Sequence, residues 1–329
     1  MKKWASIIIP TALVGVIAAA VAIPSFASAT TNPNLFVLYA GSMTKVMEQK
    51  VTPALRQEYG LVFQGEGEGS DALAQMIRAG ISTPDIFISA SPSVNQKLLM
   101  GAKNHNLVKW YFPLAADQLV IAFSKTSKFY PQLLAAEKGH TPWYKVMESP
   151  GFRFGRTDPL LDPKGLSTIF MMELAQKYYH QPTLFKKILG SNENPKQVFP
   201  EQTLLAQLTT GQVDAIVAYK HEAVEWHVPY ITLPKAINLS DVKDAASYAK
   251  VSVKGKGGKV EKGAPILFTI TIPSTVKNEQ GAEQFVRFMV KGKGHQILMK
   301  DGFTPVTMKL FGQASAVPKS LQSLIPGKK

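Results

Sequence analysis

Short apolar runs alternate along this chain with longer stretches whose apolar positions recur at helical spacing. Leu35 to Ala40 is predicted as a strand, ending at Gly41-Ser42 and followed by a helix to about Tyr59. Leu61 to Gln64 is predicted as a second strand, after which Gly65 to Ser70 opens a helix to about Ala79. Pro84 precedes a third strand, Asp85 to Ser89, and a helix through Val94 to Met100. Strands alternating with helices predict a parallel sheet with helices on both faces, and ligands at the C-terminal strand ends. Ser42, Ser70 and Ser89 fall at that edge.

A second alternating set follows. The continuous apolar run Gln118 to Phe123 predicts a buried strand, Pro142 to Met147 a short helix, and Gly151 to Gly155 another strand. A helix is expected from about Leu166 to Tyr179, a strand at Gln197 to Pro200, a helix from Gln202 to Thr210, and a strand from Ala215 to Tyr219. Ala264 to Ile272 is one more long strand, with helices at Gln280 to Val290 and Gly294 to Lys300. Gly302 to Val306 is a late turn, and the tail after Leu310 is irregular or loosely helical.

Before all of these, Lys2 and Lys3 precede an apolar run from Trp4 to Ile23, and Ala27-Ser28-Ala29 fits a small-residue cleavage site. Residues 1–29 thus read as an export signal. The run is long enough that retention as an N-terminal membrane anchor stays open. The chain has no cysteine, so it has neither disulfides nor thiolate chemistry, and an export signal with no cysteine rules out lipid attachment at an N-terminal cysteine. Its net charge is +14, falling to +12 without Lys2 and Lys3. A basic surface attracts anions. Nucleic acid is not expected as a partner, because the chain is exported and no basic run is interleaved with aromatics; Lys254, Lys256, Lys259 and Lys262 lie in a Gly-rich loop and read as a solvated face.

The segment Phe154 to Gly165 carries the most chemistry. Two Asp-Pro pairs precede a helix, and Asp162-Pro163-Lys164-Gly165 places Asp162 as N-cap and Pro163 at the first helical position. Free N–H groups and the helix dipole there form an anion site. The same design occurs at Gly41-Ser42 and Gly69-Ser70. Three such helix starts predict one buried oxyanion held between them. Each of Ser42, Ser70 and Asp162 taken alone is also an ordinary helix cap, and Tyr219 alone a core aromatic.

These features together resemble a bilobed periplasmic binding protein, and more narrowly the archaeal-type molybdate/tungstate receptors of ABC transporters. The resemblance runs from about Leu35 to Val306. It rests on Tyr39-Ala40-Gly41-Ser42, Gly69-Ser70, Asp85 to Ala90, Gln118 to Phe123, Phe154 to Gly165, Gly211 to Ala215 leading to Tyr219, and Gly302 to Val306. It implies an α/β, type II two-lobe fold, each lobe a mixed, mostly parallel sheet flanked by helices, with the ligand in the cleft. Lobe I would hold residues 33–117 and 268–329, lobe II residues 118–267, with a hinge near Gln118 and Phe268. It implies a monomeric, periplasmic or cell-surface receptor without a cofactor, which captures molybdate or tungstate and passes it to an ABC permease.

The same resemblance implies that the backbone N–H and hydroxyl of Ser42 (with Gly41) and of Ser70 donate to the anion from lobe I. Asp162, Pro163 and the N–H of Lys164 meet it from lobe II, and Tyr219 closes the pocket. Asp162 matches an aspartate that ligates the metal centre directly in archaeal-type members. The glutamate that joins it there is expected just before Tyr219, where this chain has Ala218; Glu222, one turn on, is the substitute. Lys164 departs from the small residue common at its position.

Other readings have less support. A receptor for sulfate, phosphate or an organic phosphate would use the same helix starts. Ser42-Met43-Thr44-Lys45 matches the S-x-x-K of serine acyl enzymes, but S-D-N and K-T-G partners are missing. His221-Glu222-Ala223-Val224-Glu225 ends in Glu225, so H-E-x-x-H is not met. Arg156 reads as pairing with Asp158 or a nearby carbonyl, and Tyr178-Tyr179 as helix-surface aromatics.

Overall fold

The computed structural model describes residues 34–254 and 260–327. The expected export signal, the centre of the Lys-rich loop and the last two residues lie outside that range. The strands are β1 (Leu35–Ala40), β2 (Phe63–Glu68), β3 (Ile86–Ser89), β4 (Trp110–Ala116), β5 (Leu119–Phe123) and β6 (Phe154–Gly155). They continue with β7 (Ala215–Tyr219), β8 (Tyr230–Thr232), β9 (Ser252–Lys254), β10 (Val260–Lys262), β11 (Leu267–Thr271) and β12 (Phe311–Gly312). One sheet has the order β12-β4-β11-β3-β1-β2, the other β6-β7-β5-β8, and β9-β10 is a separate hairpin.

Each sheet has two apolar faces. In the first, Leu38 and Phe87 join Leu73, Ile77 and Leu99 on one side, while Val37, Tyr39, Ile86 and Ile88 face the main core. In the second, Val120, Ile216 and Ala218 pack with Leu204, Leu208 and Ala223, while Ile121 and Val217 face the main core. This two-sided burial explains why the strands read as unbroken apolar runs.

The sheets are mixed as expected, but the parallel share is smaller than "mostly". Among the described strands, the parallel pairs are β1–β2, β1–β3 and β6–β7. β11 runs antiparallel to β3 and β4, β12 to β4, and β5 to both β7 and β8. The reason is connectivity. β4 leaves the first sheet and continues through Asp117-Gln118 into β5 of the second, while β11 enters the first sheet from the other side. β11 starts beside the end of β4, Leu267 opposite Ala116, so the outgoing and returning strands run antiparallel.

Local differences have local causes. β2 extends through Gly65 to Glu68, where a helix opening was expected. A side chain at Gly65 or Gly67 would meet the Tyr39 ring of β1 at 2.6 Å, so the two glycines form a flat strip beneath that ring. The Gly151–Gly155 strand shrinks to Phe154–Gly155, and Gln197–Pro200 gives only a bridge between Val198 and Arg156. β4 and the Tyr130–Glu137 helix have no counterpart in the pattern reading. The Pro163–Tyr178 helix starts with Asp162 as N-cap, as the Asp-Pro step implies.

Candidate functional site

The three helix starts converge between the sheets. Gly41 lies in a single turn, Gly41–Met43, directly after β1. A Cβ there would fall 2.6 Å from Cγ of Glu201, the first residue of the Glu201–Thr209 helix of the second sheet's side. Gly69 N-caps the Ser70–Arg78 helix, and its Cβ would fall 2.4 Å from the carbonyl oxygen of Leu161. The Ala72 N–H donates to that same oxygen across the cleft at 3.2 Å. Both lobes therefore touch through backbone, and glycine is what lets them approach so closely.

Within this contact, Asp162 caps its helix through Oδ1, which accepts from the N–H of Lys164 at 2.6 Å, the N–H of Gly165 at 3.3 Å and the Thr157 hydroxyl at 3.1 Å. Pro163 follows, buried, at the first helical position, where its missing N–H costs nothing. The Lys164 side chain turns inward and is 1% exposed. Its ammonium donates to Glu201 Oε1 at 2.7 Å and to Glu222 Oε1 and Oε2 at 2.8 and 2.9 Å. It also lies 5.3 Å from the centre of the Tyr219 ring.

Three hydroxyls complete the set. Ser42 Oγ and Tyr219 Oη are buried and have no hydrogen-bond partner. Ser70 Oγ accepts from the Ala90 N–H at 3.1 Å, which leaves its own O–H as a donor. Buried polar atoms without partners are rare in native proteins, and each calls for an explanation. Glu201 Oε2 is a third such atom in the same place.

The electrostatics follow from burial. Burial first, and Glu201 second, push Asp162 up to about 7 against the opposing pull of Lys164. Glu201 is likewise pushed up to about 7 by burial, with Lys164 opposing and Glu222 adding. Burial works against the Lys164 ammonium, but Glu201, Glu222 and Asp162 outweigh it, so Lys164 stays charged and its pKa lies above the usual lysine value. Burial, with Asp162, Glu222 and Glu201 behind it, also raises the Tyr219 hydroxyl well above its usual value, which keeps it a neutral donor.

The structure thus brings together Gly41, Ser42, Ser70, Asp162, Pro163, Lys164, Tyr219 and Glu222, with differing freedom. Ala218 faces the apolar layer of β7 and takes no part. Glu222 has both oxygens committed, to Lys164 and to the Tyr219 N–H at 2.7 Å. The carboxylate with an uncommitted buried oxygen beside Asp162 is instead Glu201, which the sequence reading passed over by starting its helix at Gln202. Its signal was an acidic residue directly after Pro200. Among the described residues no three metal-ligating side chains form a metal cluster.

A second feature missed in the sequence is His221. Its Nδ1 lies 2.5 Å from Asp117 Oδ2 and its Nε2 lies 3.1 Å from the Ser42 carbonyl oxygen. Both neighbours only accept, so both ring nitrogens must donate, and the ring is an imidazolium. Burial opposes that charge, but Asp117 outweighs it and raises the His221 pKa. The ring stacks on Phe303 at 3.9 Å and ties the strand-to-strand junction at Asp117 to the Ser42 turn. Lys45 does not serve Ser42: its ammonium donates to the Glu225 carbonyl at 2.6 Å. Arg156 donates to the Ser191 carbonyl at 2.9 Å and to Gln197, as the carbonyl reading expected.

Two α/β lobes that meet around buried, uncommitted polar groups define a solute-binding protein in class. The chain belongs to the family of bacterial extracellular solute-binding proteins, which it matches over residues 35–304. It is 32% identical over 272 residues to a putative ABC transporter molybdenum-binding protein of Haloferax volcanii, covering 83% of this chain and 82% of that one. It is 29% identical over 319 residues to the molybdate/tungstate-binding protein WtpA of Pyrococcus abyssi, covering 88% and 89%. The periplasmic molybdate-binding protein of Azotobacter vinelandii has the same fold, with a TM-score of 0.58 at 17% identity, over 83% of this chain and all of that one.

Proposed function

We propose that this protein captures molybdate or tungstate outside the cytoplasm and delivers it to an ABC permease, acting as a monomeric, non-catalytic receptor. The observation that carries the reading is the pair of buried, partnerless hydroxyls, Ser42 from one lobe and Tyr219 from the other. Tyr219 lies beside the capped N-terminus of the Pro163–Tyr178 helix, against the Lys164 ammonium, and Ser42 follows Gly41, which lies against Glu201. A tetrahedral dianion offers acceptor oxygens on all sides, and neutral donors fixed in place can replace its hydration shell without reorganising. The names of the Haloferax and Pyrococcus relatives, which match nearly the full length, narrow the anion to molybdate or tungstate. Asp162 and Glu201 line the cleft from the same lobe, Asp162 at its helix cap and Glu201 at the start of the Glu201–Thr209 helix, against Gly41 of the other lobe.

Thermal unfolding with molybdate, tungstate, sulfate and phosphate tests this. A ligand at a hundred times its Kd adds about 2.7 kcal/mol of stability, a rise of roughly 5–10 °C for a chain of this size. That rise is expected with molybdate and tungstate. No shift with either at millimolar concentration sinks the reading, and a shift with sulfate or phosphate alone reassigns the anion.

A further inference from the structure

We propose that Lys164 sets the charge class of the cargo: its buried ammonium is the built-in counter-cation that lets a cleft holding three carboxylates accept a dianion. This rests on the receptor reading above and extends it to a side chain whose role has so far been only its backbone N–H. The groups facing the ammonium come from three elements. Glu201 opens the Glu201–Thr209 helix, Glu222 lies in the first turn of the Lys220–Trp226 helix, and Asp162 caps the helix that carries Lys164 itself. Glu201 and Glu222 are bonded to the ammonium directly. Glu222 is fully buried, and its second anchor is the Tyr219 N–H.

Burying several carboxylates without compensation is strongly unfavourable, and a dianion placed beside them makes it worse. A single ammonium bonded to two of them cancels part of that charge at the point where the anion's donors converge. It does so without adding a mobile ion. The residue is buried and its ammonium lies over the Tyr219 ring, so the charge is held away from solvent as a surface lysine's is not. The neighbouring anion donors are neutral hydroxyls and N–H groups; the His221 ring nearby is bonded to Asp117 and the Ser42 carbonyl, whereas Lys164 is bonded directly to Glu201 and Glu222.

Charge balance can be separated from shape by a pair of variants. Lys164→Met keeps the length of the side chain and removes the charge. Adding Glu222→Gln removes one negative charge and keeps an amide oxygen for the Tyr219 N–H. Titration calorimetry with tungstate and molybdate is expected to show Lys164→Met weakened by roughly tenfold or more, since truncating one partner of a buried charge pair leaves the other uncompensated. The double variant should recover most of that loss. Lys164→Met binding like the wild type overturns the proposal. So does a double variant as weak as the single, which would mean that the ammonium touches the anion itself or only supports the fold.

Melting without anion is a separate readout. The single variant should melt lower than the wild type and the double higher than the single; if the double melts no higher, the counter-cation role is wrong whatever the anions do. A wild type that takes up no oxyanion, with melting recovered in the double, would instead locate the failure in the receptor reading.

Discussion

Asp162 is where two demands meet in one residue. As N-cap its Oδ1 holds two backbone N–H groups, and as a buried carboxylate it is pushed up to about 7 by burial and by Glu201. Glu201 is pushed to the same range. A carboxyl whose folded pKa lies above its unfolded value near 4 binds more protons folded than unfolded between the two. The stability it lends is full below pH 4 and is lost as pH rises to about 7. His221 has the same sign, since its raised folded pKa lends stability that fades above the unfolded value near 6.5. Asp214, held low mainly by Arg153 against its burial, acts only below pH 4. Without anion, then, the melting temperature should fall between pH 5 and pH 8. Asp162→Asn, which caps as well as aspartate, should flatten that fall and melt above the wild type at pH 8. Asp162→Ala removes the same carboxyl and the cap as well, so it should show the same flattened slope and melt below Asp162→Asn at every pH by about 1 kcal/mol. Calorimetric melts across that range check all three, and an unchanged slope in Asp162→Asn would show that Asp162 does not titrate there.

Elements were legible where one pattern governed them. β1, β3, β5, β7 and the Glu279–Lys291 helix fall where their apolar runs put them, because burial on both faces or one clear stripe leaves little competition. The three helix starts were legible from Gly-Ser and Asp-Pro steps, though only Asp162 caps with its side chain; Ser42 and Ser70 fall inside their turns, after Ala40 and Gly69 as N-caps. What could not be read was set by distant partners. β2 runs through Gly65 to Glu68 because Tyr39 needs a flat surface, and no local propensity of a Gly-Glu repeat says so. β6 is short because only Phe154 and Gly155 have β7 beside them. Glu201 and His221 gain their meaning from Gly41, Lys164, Asp117 and Ser42, all far away in sequence. The β2 interpretation is testable. Tyr39 is fully buried, so a methyl at Gly65 cannot be met by moving the ring freely. Gly65→Ala should lose about 1–3 kcal/mol by overpacking, read as a lower urea midpoint with an unchanged m-value. A neutral or stabilising result would mean that the strand carries its glycines for some reason other than Tyr39.

At the scale of the whole molecule, the two sheets are joined through Asp117-Gln118 and meet again at the cleft, where Leu161 lies against Gly69. That second contact separates closure from folding. Gly69 has φ −56° and ψ 126°, a conformation open to any L-residue, so alanine fits the backbone there. The obstacle is a carbonyl oxygen of the opposite lobe, 2.4 Å from where the new methyl carbon would lie. The next nearest atoms, Leu161 C and Asp162 Cβ, belong to that lobe as well. Gly69→Ala should therefore leave each lobe intact and penalise only the state in which they touch. A binding protein whose competent state is rarely populated loses affinity in proportion to that population, with no change in the binding groups themselves. The expected outcome is a wild-type circular dichroism spectrum and an anion-free melting temperature within a few degrees of the wild type. Tungstate affinity should fall by roughly tenfold or more, and the anion-induced decrease in radius of gyration by small-angle scattering should shrink or vanish. Ser42 and Tyr219 are untouched by the change, so retained affinity together with retained compaction would show that the lobes can capture an anion without the Gly69–Leu161 approach, and the hinge account of this cleft would fail.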